Sequence, residues 1–274
     1  MNPFAGLFRR RQEAPLPSAP APKLLTYRVA NLQGLGTRAR QEDSFAFANA
    51  MDVTEIRRRG MLAVMADGMG GLADGKQVSE NAVAGLLAGF SEMDREGDLA
   101  AQLGRCVLDT SDQIYDQFQG AGGTTLVAGI FFREVLYWVS VGDSFIYLKR
   151  GRKLYRLNRE QNHRTDLYLE AIRAGQLDPS EANANPDGHR LCQFLGKDEV
   201  DELDLSLRPL PLQHGDMLLL CSDGLGGVLD ENALLECLET GDPAQACARM
   251  GERVQALGRR SQDNYTALVV ACNY

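Results

Sequence analysis

Histidine and tryptophan are scarce in this chain, three and one among 274 residues. His163, His189 and His214 are scattered without ligand spacing, so imidazole supplies no metal signature. The six cysteines contain no C-x-x-C pair, and several sit inside apolar runs. That excludes the usual zinc and redox motifs and fits reduced, mostly buried thiols, which points to the cytoplasm. No apolar run reaches the roughly 18 residues of a spanning helix. A secretory leader is not expected either: Phe4–Phe8 is too short, and its arginines follow it. A basic surplus is missing as well. Lys and Arg number 29 against 37 Asp and Glu, a balance of −8, which speaks against a nucleic-acid binder. What remains is 44% hydrophobic and 24% charged, enough apolar mass for one large globular domain.

Composition shifts near residue 23. Five of the ten prolines lie in residues 1–22, and Arg9, Arg10, Arg11 and Lys23 against Glu13 make this stretch basic, +3. Residues 1–23 read as a flexible arm ahead of a domain at 24–274. An inert tail is favoured over a weak membrane or partner anchor built on Phe4, Leu7, Phe8 and the arginines. Beyond it, strand patterns cover Thr26–Leu32, Ser44–Asn49 and Met61–Ala66. Helices are expected at Gly75–Phe90 and Leu99–Phe118. Three β-like runs follow in close order, Thr124–Phe132, Val135–Val141 and Phe145–Arg150, and such short links favour antiparallel meanders. A short helix at Asp166–Ala174 leads into an Asn-, Asp-, Pro- and Gly-rich excursion at 175–190. A buried strand at Asp216–Ser222, two helices near 231–239 and 243–257, and a strand at Tyr265–Cys272 close the chain. Strand runs and helix pairs segregate, so the expected class is α+β, with two antiparallel sheets and helices outside.

Five aspartates fall at strand ends: Asp43, Asp67, Asp143, Asp223 and Asp263. A carboxylate at the tip of a buried strand is fixed in direction and costly to desolvate unless a cation offsets it. Several gathered at one end of a sheet make a hard-oxygen site suited to Mg²⁺ or Mn²⁺. The plainer reading is that Asp-Gly pairs such as Asp67-Gly68 and Asp223-Gly224 are turns. Pattern alone divides the two evenly. The stretch Gly70–Lys76 matches G-x-x-x-x-G-K, yet Gln77 stands where a phosphate loop needs Ser or Thr, so a nucleotide triphosphatase is disfavoured. Gly142-Asp143-Ser144 lacks the remainder of a serine nucleophile elbow.

Six motifs occur in order: Arg38-Ala39-Arg40-Gln41-Glu42-Asp43-Ser44, Ala66-Asp67-Gly68-Met69-Gly70-Gly71, Gly123-Thr124-Thr125, Val141-Gly142-Asp143-Ser144, Ser222-Asp223-Gly224-Leu225 and Asp263-Asn264. Over about residues 25–273 the chain resembles the bacterial metal-dependent serine/threonine protein phosphatases of type 2C, the PPM family. The resemblance implies a four-layer α-β-β-α sandwich and a two-metal phosphomonoesterase. Asp67 would bridge two Mn²⁺ or Mg²⁺ ions, Asp223 and Asp263 would complete one, and the Gly68 carbonyl the other. Glu42 and Asp43 would hold metal-bound waters, and Asp143 with Asp223 a weaker third ion. Arg38 would bind the substrate phosphate, and a metal-bridging hydroxide would attack phosphorus in line. Where some members carry a histidine after the Asp-Gly, this chain has Met69, which leaves a metal-bound water as the acid. The family's usual Asn-Glu-Asp is Gln41-Glu42-Asp43 here, and its Gly-Asp-Ser-Arg is Gly142-Asp143-Ser144-Phe145. Residues 163–190 correspond to a flap over the site that shapes substrate choice.

The implied partners are a phosphorylated protein and a serine/threonine kinase that the enzyme opposes. A catalytically weak binding or regulatory module is the alternative, but such a copy usually loses one of the aspartates, and all are present. A nuclease fits poorly with the acidic domain.

Overall fold

The structure, a computed structural model, describes residues 24–69, 74–175 and 185–274. The arm expected at 1–23 lies outside the described residues, as do Gly70–Ala73 and part of the excursion at 175–190.

The strands are β1 (Thr26–Gly34), β2 (Asp43–Ala48), β3 (Met61–Asp67), β4 (Leu126–Phe132), β5 (Val135–Val141), β6 (Phe145–Arg150), β7 (Lys153–Arg156), β8 (Asp204–Leu205), β9 (Leu210–Pro211), β10 (Met217–Cys221) and β11 (Tyr265–Asn273). The helices are α1 (Val53–Arg59), α2 (Gly75–Glu92), α3 (Leu99–Phe118), α4 (His163–Arg173), α5 (Asp223–Gly226), α6 (Glu231–Leu238) and α7 (Pro243–Ala256). One sheet has the order β1-β11-β10-β6-β7 and the other β2-β3-β4-β5-β8, with β9 also pairing β5. The pairings within both are antiparallel.

The side-chain alternation of the central strands sorts the core into three layers. Leu62, Val64 and Ala66 of β3 face α2 and α3 together with Leu126, Ala128 and Ile130 of β4. Met61, Ala63 and Met65 point the other way, between the sheets, against Leu218, Leu220, Leu268 and Val270. Leu219, Ala267 and Val269 then pack on Leu234, Cys237, Ala246, Met250 and Val254 of α6 and α7. The layer order is helices, sheet, sheet, helices. Both faces of β3 are buried, which is why Met61–Ala66 reads as an unbroken apolar run rather than an alternating one. Each fully buried side chain of the Leu or Met kind contributes about 1.5–3 kcal/mol.

Four features differ from the sequence expectation. Helix α1 was not foreseen, although Asp52 caps it through Thr54 N–H and Glu55 N–H, and Arg57–Arg59 complement its C-terminal dipole. The short strands β7, β8 and β9 were also missed, being two to four residues long. Helix α4 begins three residues early, because Asn162 Oδ1 accepts the Thr165 amide at 3.0 Å. Strand β4 starts at Leu126 rather than Thr124, because Thr124 and Thr125 leave the ladder to hold the end of β3. Among the described residues no helix is long and apolar enough to cross a membrane.

Candidate metal and phosphate site

The strand-end aspartates meet where the two sheets come together. Asp43 and Asp67 lie opposite each other at the end of the β2–β3 ladder. Asp223 follows β10 and Asp263 precedes β11, neighbours in the other sheet. Asp143 sits in the link from β5 to β6, where the chain crosses between sheets. Arg38, Glu42, Asp67, Gly68, Asp143, Asp223 and Asp263 line one cleft of about 500 Å³.

Backbone contacts present these groups. Thr124 Oγ1 donates to the Asp67 carbonyl at 2.8 Å, and Thr125 N–H donates to the same oxygen at 2.9 Å. The end of β3 is therefore clamped from two sides. Gly68 admits no side chain, because a Cβ there would stand 2.2 Å from the Gly75 carbonyl oxygen. This lets the start of α2 close down beside the cleft. Gly224 has the same duty on the other sheet, where a Cβ would meet the Asn264 carbonyl oxygen at 1.8 Å. That contact sets Asp223 beside Asp263.

Asp43 is placed differently from its neighbours. It is fully buried and does not line the cleft. Its Oδ2 accepts Thr266 Oγ1–H at 2.6 Å and Ser222 Oγ–H at 3.1 Å, which ties β2 to the opposite sheet. Its Oδ1 is buried with no hydrogen-bond partner among the described residues. Arg38 is half exposed and donates to Asp263 Oδ2 at 2.5 Å. Glu42 lies at the cleft wall, its amide donating to Asn264 Oδ1 at 2.8 Å.

Without cations this arrangement is electrostatically unfavourable. Burial pushes the Asp67 carboxyl well above the usual carboxylate range, and Asp43, Asp223 and Asp143 push it the same way. Burial raises Asp43 to about 6, against the opposing pull of the Thr266 and Ser222 hydroxyls. Asp143 rises to about 7, from burial first and then from Asp223 and Glu160. The orphaned Asp43 oxygen, the mutual repulsion and the all-oxygen donor set fit hard divalent ions. No group of three or more acidic, imidazole or thiol side chains among the described residues forms a ready metal cage. Ions of the Mg²⁺ type need none, since they keep several waters and take one or two carboxylates each.

Arg190, Leu191 and Phe194, which the sequence did not single out, also line the cleft, together with His189, which it had set aside. Thr266, one of the hydroxyls on Asp43, was also missed. Ser222, the other, had a signal as part of Ser222-Asp223-Gly224-Leu225, as the Thr pair had in Gly123-Thr124-Thr125. In the phosphate-loop look-alike, Lys76 Nζ donates to the Asp43 carbonyl and to Ser44 Oγ, both at 3.0 Å. It joins α2 to β2 and is engaged away from any phosphate, while Gly70–Ala73 lie outside the described residues.

No family model matches the chain. It is 32% identical over 252 residues to the serine/threonine protein phosphatase PstP of Mycobacterium tuberculosis, covering 90% of this chain and 45% of that protein. The chain thus spans about half the length of that relative. It is 30% identical over 187 residues to the serine/threonine phosphatase stp of Listeria monocytogenes, covering 65% of this chain and 72% of the relative. Among solved structures it superposes on the catalytic domain of PstP in complex with two manganese ions, with a TM-score of 0.71 and 29% identity. That match covers 91% of this chain and all of the other.

Proposed function

The chain belongs to the bacterial serine/threonine phosphatases of type 2C, and we propose that it hydrolyses phosphoserine and phosphothreonine in proteins with two Mn²⁺ or Mg²⁺ ions. The observation that carries this is the single cleft onto which Arg38, Glu42, Asp67, Gly68, Asp143, Asp223 and Asp263 converge from both sheets. Asp67, Asp223, Asp263 and the Gly68 carbonyl would hold the two ions, and Glu42 their waters. Asp43, buried behind Asp67, steadies the cluster. When bound, the ions offset the carboxylates and the phosphate dianion and bring a shared water to hydroxide near neutral pH.

The protein's own groups do the rest. Arg38 addresses the non-bridging phosphate oxygens, for which its planar fork is suited. Its present partner, Asp263, would hold an ion in this reading, which would leave Arg38 free to turn to the substrate phosphate. Met69 has no proton to give, so the leaving alkoxide takes its proton from water. Asp143 and Asp223, which line the same cleft, would hold a third, weaker ion. The flap reading of residues 163–190 is supported by the turn carrying His189 and Arg190, which line the cleft. The implied substrates are targets of a serine/threonine kinase, or that kinase itself. All six cysteines are free, which suits a reducing cytoplasm. A silent binding module is not favoured, because every acid of the set except the buried Asp43 faces one cleft.

The test is release of inorganic phosphate from a phosphothreonine peptide with added Mn²⁺ or Mg²⁺. Turnover that vanishes with excess chelator and returns with the ion supports the reading. No turnover with either ion defeats it.

A further inference from the structure

A second cleft, of about 630 Å³, adjoins the first and shares Asp143, His189, Asp223 and Asp263 with it. Arg156, on the short strand β7, lines this second cleft. Its guanidinium carbon lies 4.4 Å from the centroid of the Phe145 ring, and Phe145 is itself stacked on Tyr147 at 5.8 Å. The cation is therefore held flat on an aromatic floor. Its Nη1 reaches Glu160 Oε1 at 3.3 Å, but Glu160 Oε2 is also approached by Arg164 at 3.4 Å. One carboxylate thus serves two guanidiniums. The other two nitrogens of Arg156, Nε and Nη2, are buried and have no acceptor among the described residues. An unmet buried N–H on a cation is costly, so the group needs further negative charge nearby. Asp143 lines the same cleft, two residues ahead of the Phe145 ring on which Arg156 lies, and is the carboxylate placed to answer that charge.

We propose that Arg156 and a third divalent ion are alternative counterions for Asp143, so that Arg156 sets how weakly the Asp143–Asp223 position fills. The inference rests on the metal-dependent reading above. A fixed positive charge several ångströms from a divalent ion near a protein surface weakens its binding by about tenfold or more. The aromatic floor matters because it keeps the charge in place while Glu160 is shared. Asp67 and Gly68, which would hold the first two ions, line the first cleft and not the second, where Arg156 lies, so those ions would feel Arg156 less.

The experiment is a Mn²⁺ titration of the full chain, followed by the electron paramagnetic resonance signal of free Mn²⁺. The wild type is expected to take two ions tightly and one weakly. Arg156→Gln should tighten the third by about tenfold and move the first two by less than about twofold. Arg156→Lys, which keeps the charge, should stay close to the wild type. Thermal melting checks that each variant is folded. If Arg156→Gln does not fold, Phe145→Leu, which removes the floor and leaves the charge loose, should shift the third ion in the same direction by less. A third affinity unchanged in Arg156→Gln, or in Phe145→Leu where that variant stands in, overturns the proposal. So does equal tightening in the Lys and Gln variants. Two ions and no third in every variant also overturns it while leaving the two-metal reading intact. No Mn²⁺ binding by the wild type defeats both.

Discussion

Replacing Asp67 by Asn keeps shape and removes one charge, so it separates a metal bridge from a turn residue. The Asp67 carboxylate accepts no hydrogen bond from a backbone amide among the described residues; its contacts are other acids. It lies opposite Asp43 in the β2–β3 register, where paired residues have Cα atoms about 4.5–5.5 Å apart. Two ionised carboxylates at about 5 Å, with an effective dielectric near 20, repel by about 3 kcal/mol. Removing one should stabilise the metal-free protein by about 1–3 kcal/mol, a rise of several degrees in Tm for a chain of this size. The gain depends on pH. A carboxyl raised on folding makes the folded state hold the extra proton, so stability falls as pH climbs from the ordinary carboxylate value toward the raised one. The metal-free wild type should melt lower at pH 8 than at pH 5, and Asp67→Asn should flatten that slope. With Mn²⁺ present the order reverses, because the wild type gains binding free energy that the variant lacks. Turnover should drop by hundreds-fold or more, since the nucleophile depends on the bridging ions. The assays are phosphate release with Mn²⁺ and melting in chelator at the two pH values. Retained turnover, or identical pH slopes for the two proteins, refutes the reasoning.

Excess chelator should abolish phosphopeptide hydrolysis, and added Mn²⁺ should restore it; full activity in chelator would remove the metals from the mechanism. Arg38→Ala should raise KM for a phosphothreonine peptide by about tenfold or more, the worth of a charge-assisted hydrogen bond, while Mn²⁺ affinity stays within about twofold. Lost Mn²⁺ affinity at unchanged KM would show that Arg38 serves Asp263 and not phosphate. Gly224→Ala should cost about 1–3 kcal/mol in urea unfolding at constant m-value, because its Cβ meets the Asn264 carbonyl oxygen at 1.8 Å. The displaced Asp223 should lower activity as well, and unchanged stability would mean that the turn can open without strain.

Sequence alone picked out residues that meet at one cleft, because they punctuate apolar runs. Asp67 ends a stretch with no polar residue in six, and Asp223 and Asp263 flank β10 and β11 in the same way. The segregation of strand runs from helix pairs pointed to two antiparallel sheets with helices outside before any contact was known. The order of the motifs added the family. Short elements were not legible: β7, β8 and β9 are too brief for a period, and α1 announced itself only through the cap at Asp52. Roles that depend on direction also waited for the tertiary structure. Asp43 and Asp67 look alike in sequence, yet one faces the cleft and the other is buried under Thr266 and Ser222, more than 170 residues away along the chain. Lys76 sits in a phosphate-loop pattern and turns out to bind β2. Arg156 gives no signal in sequence at all. Its place beside Phe145, Glu160 and Asp143 exists only because β6 and β7 form a hairpin at the edge of one sheet, and hairpin partners are set by packing rather than by local composition.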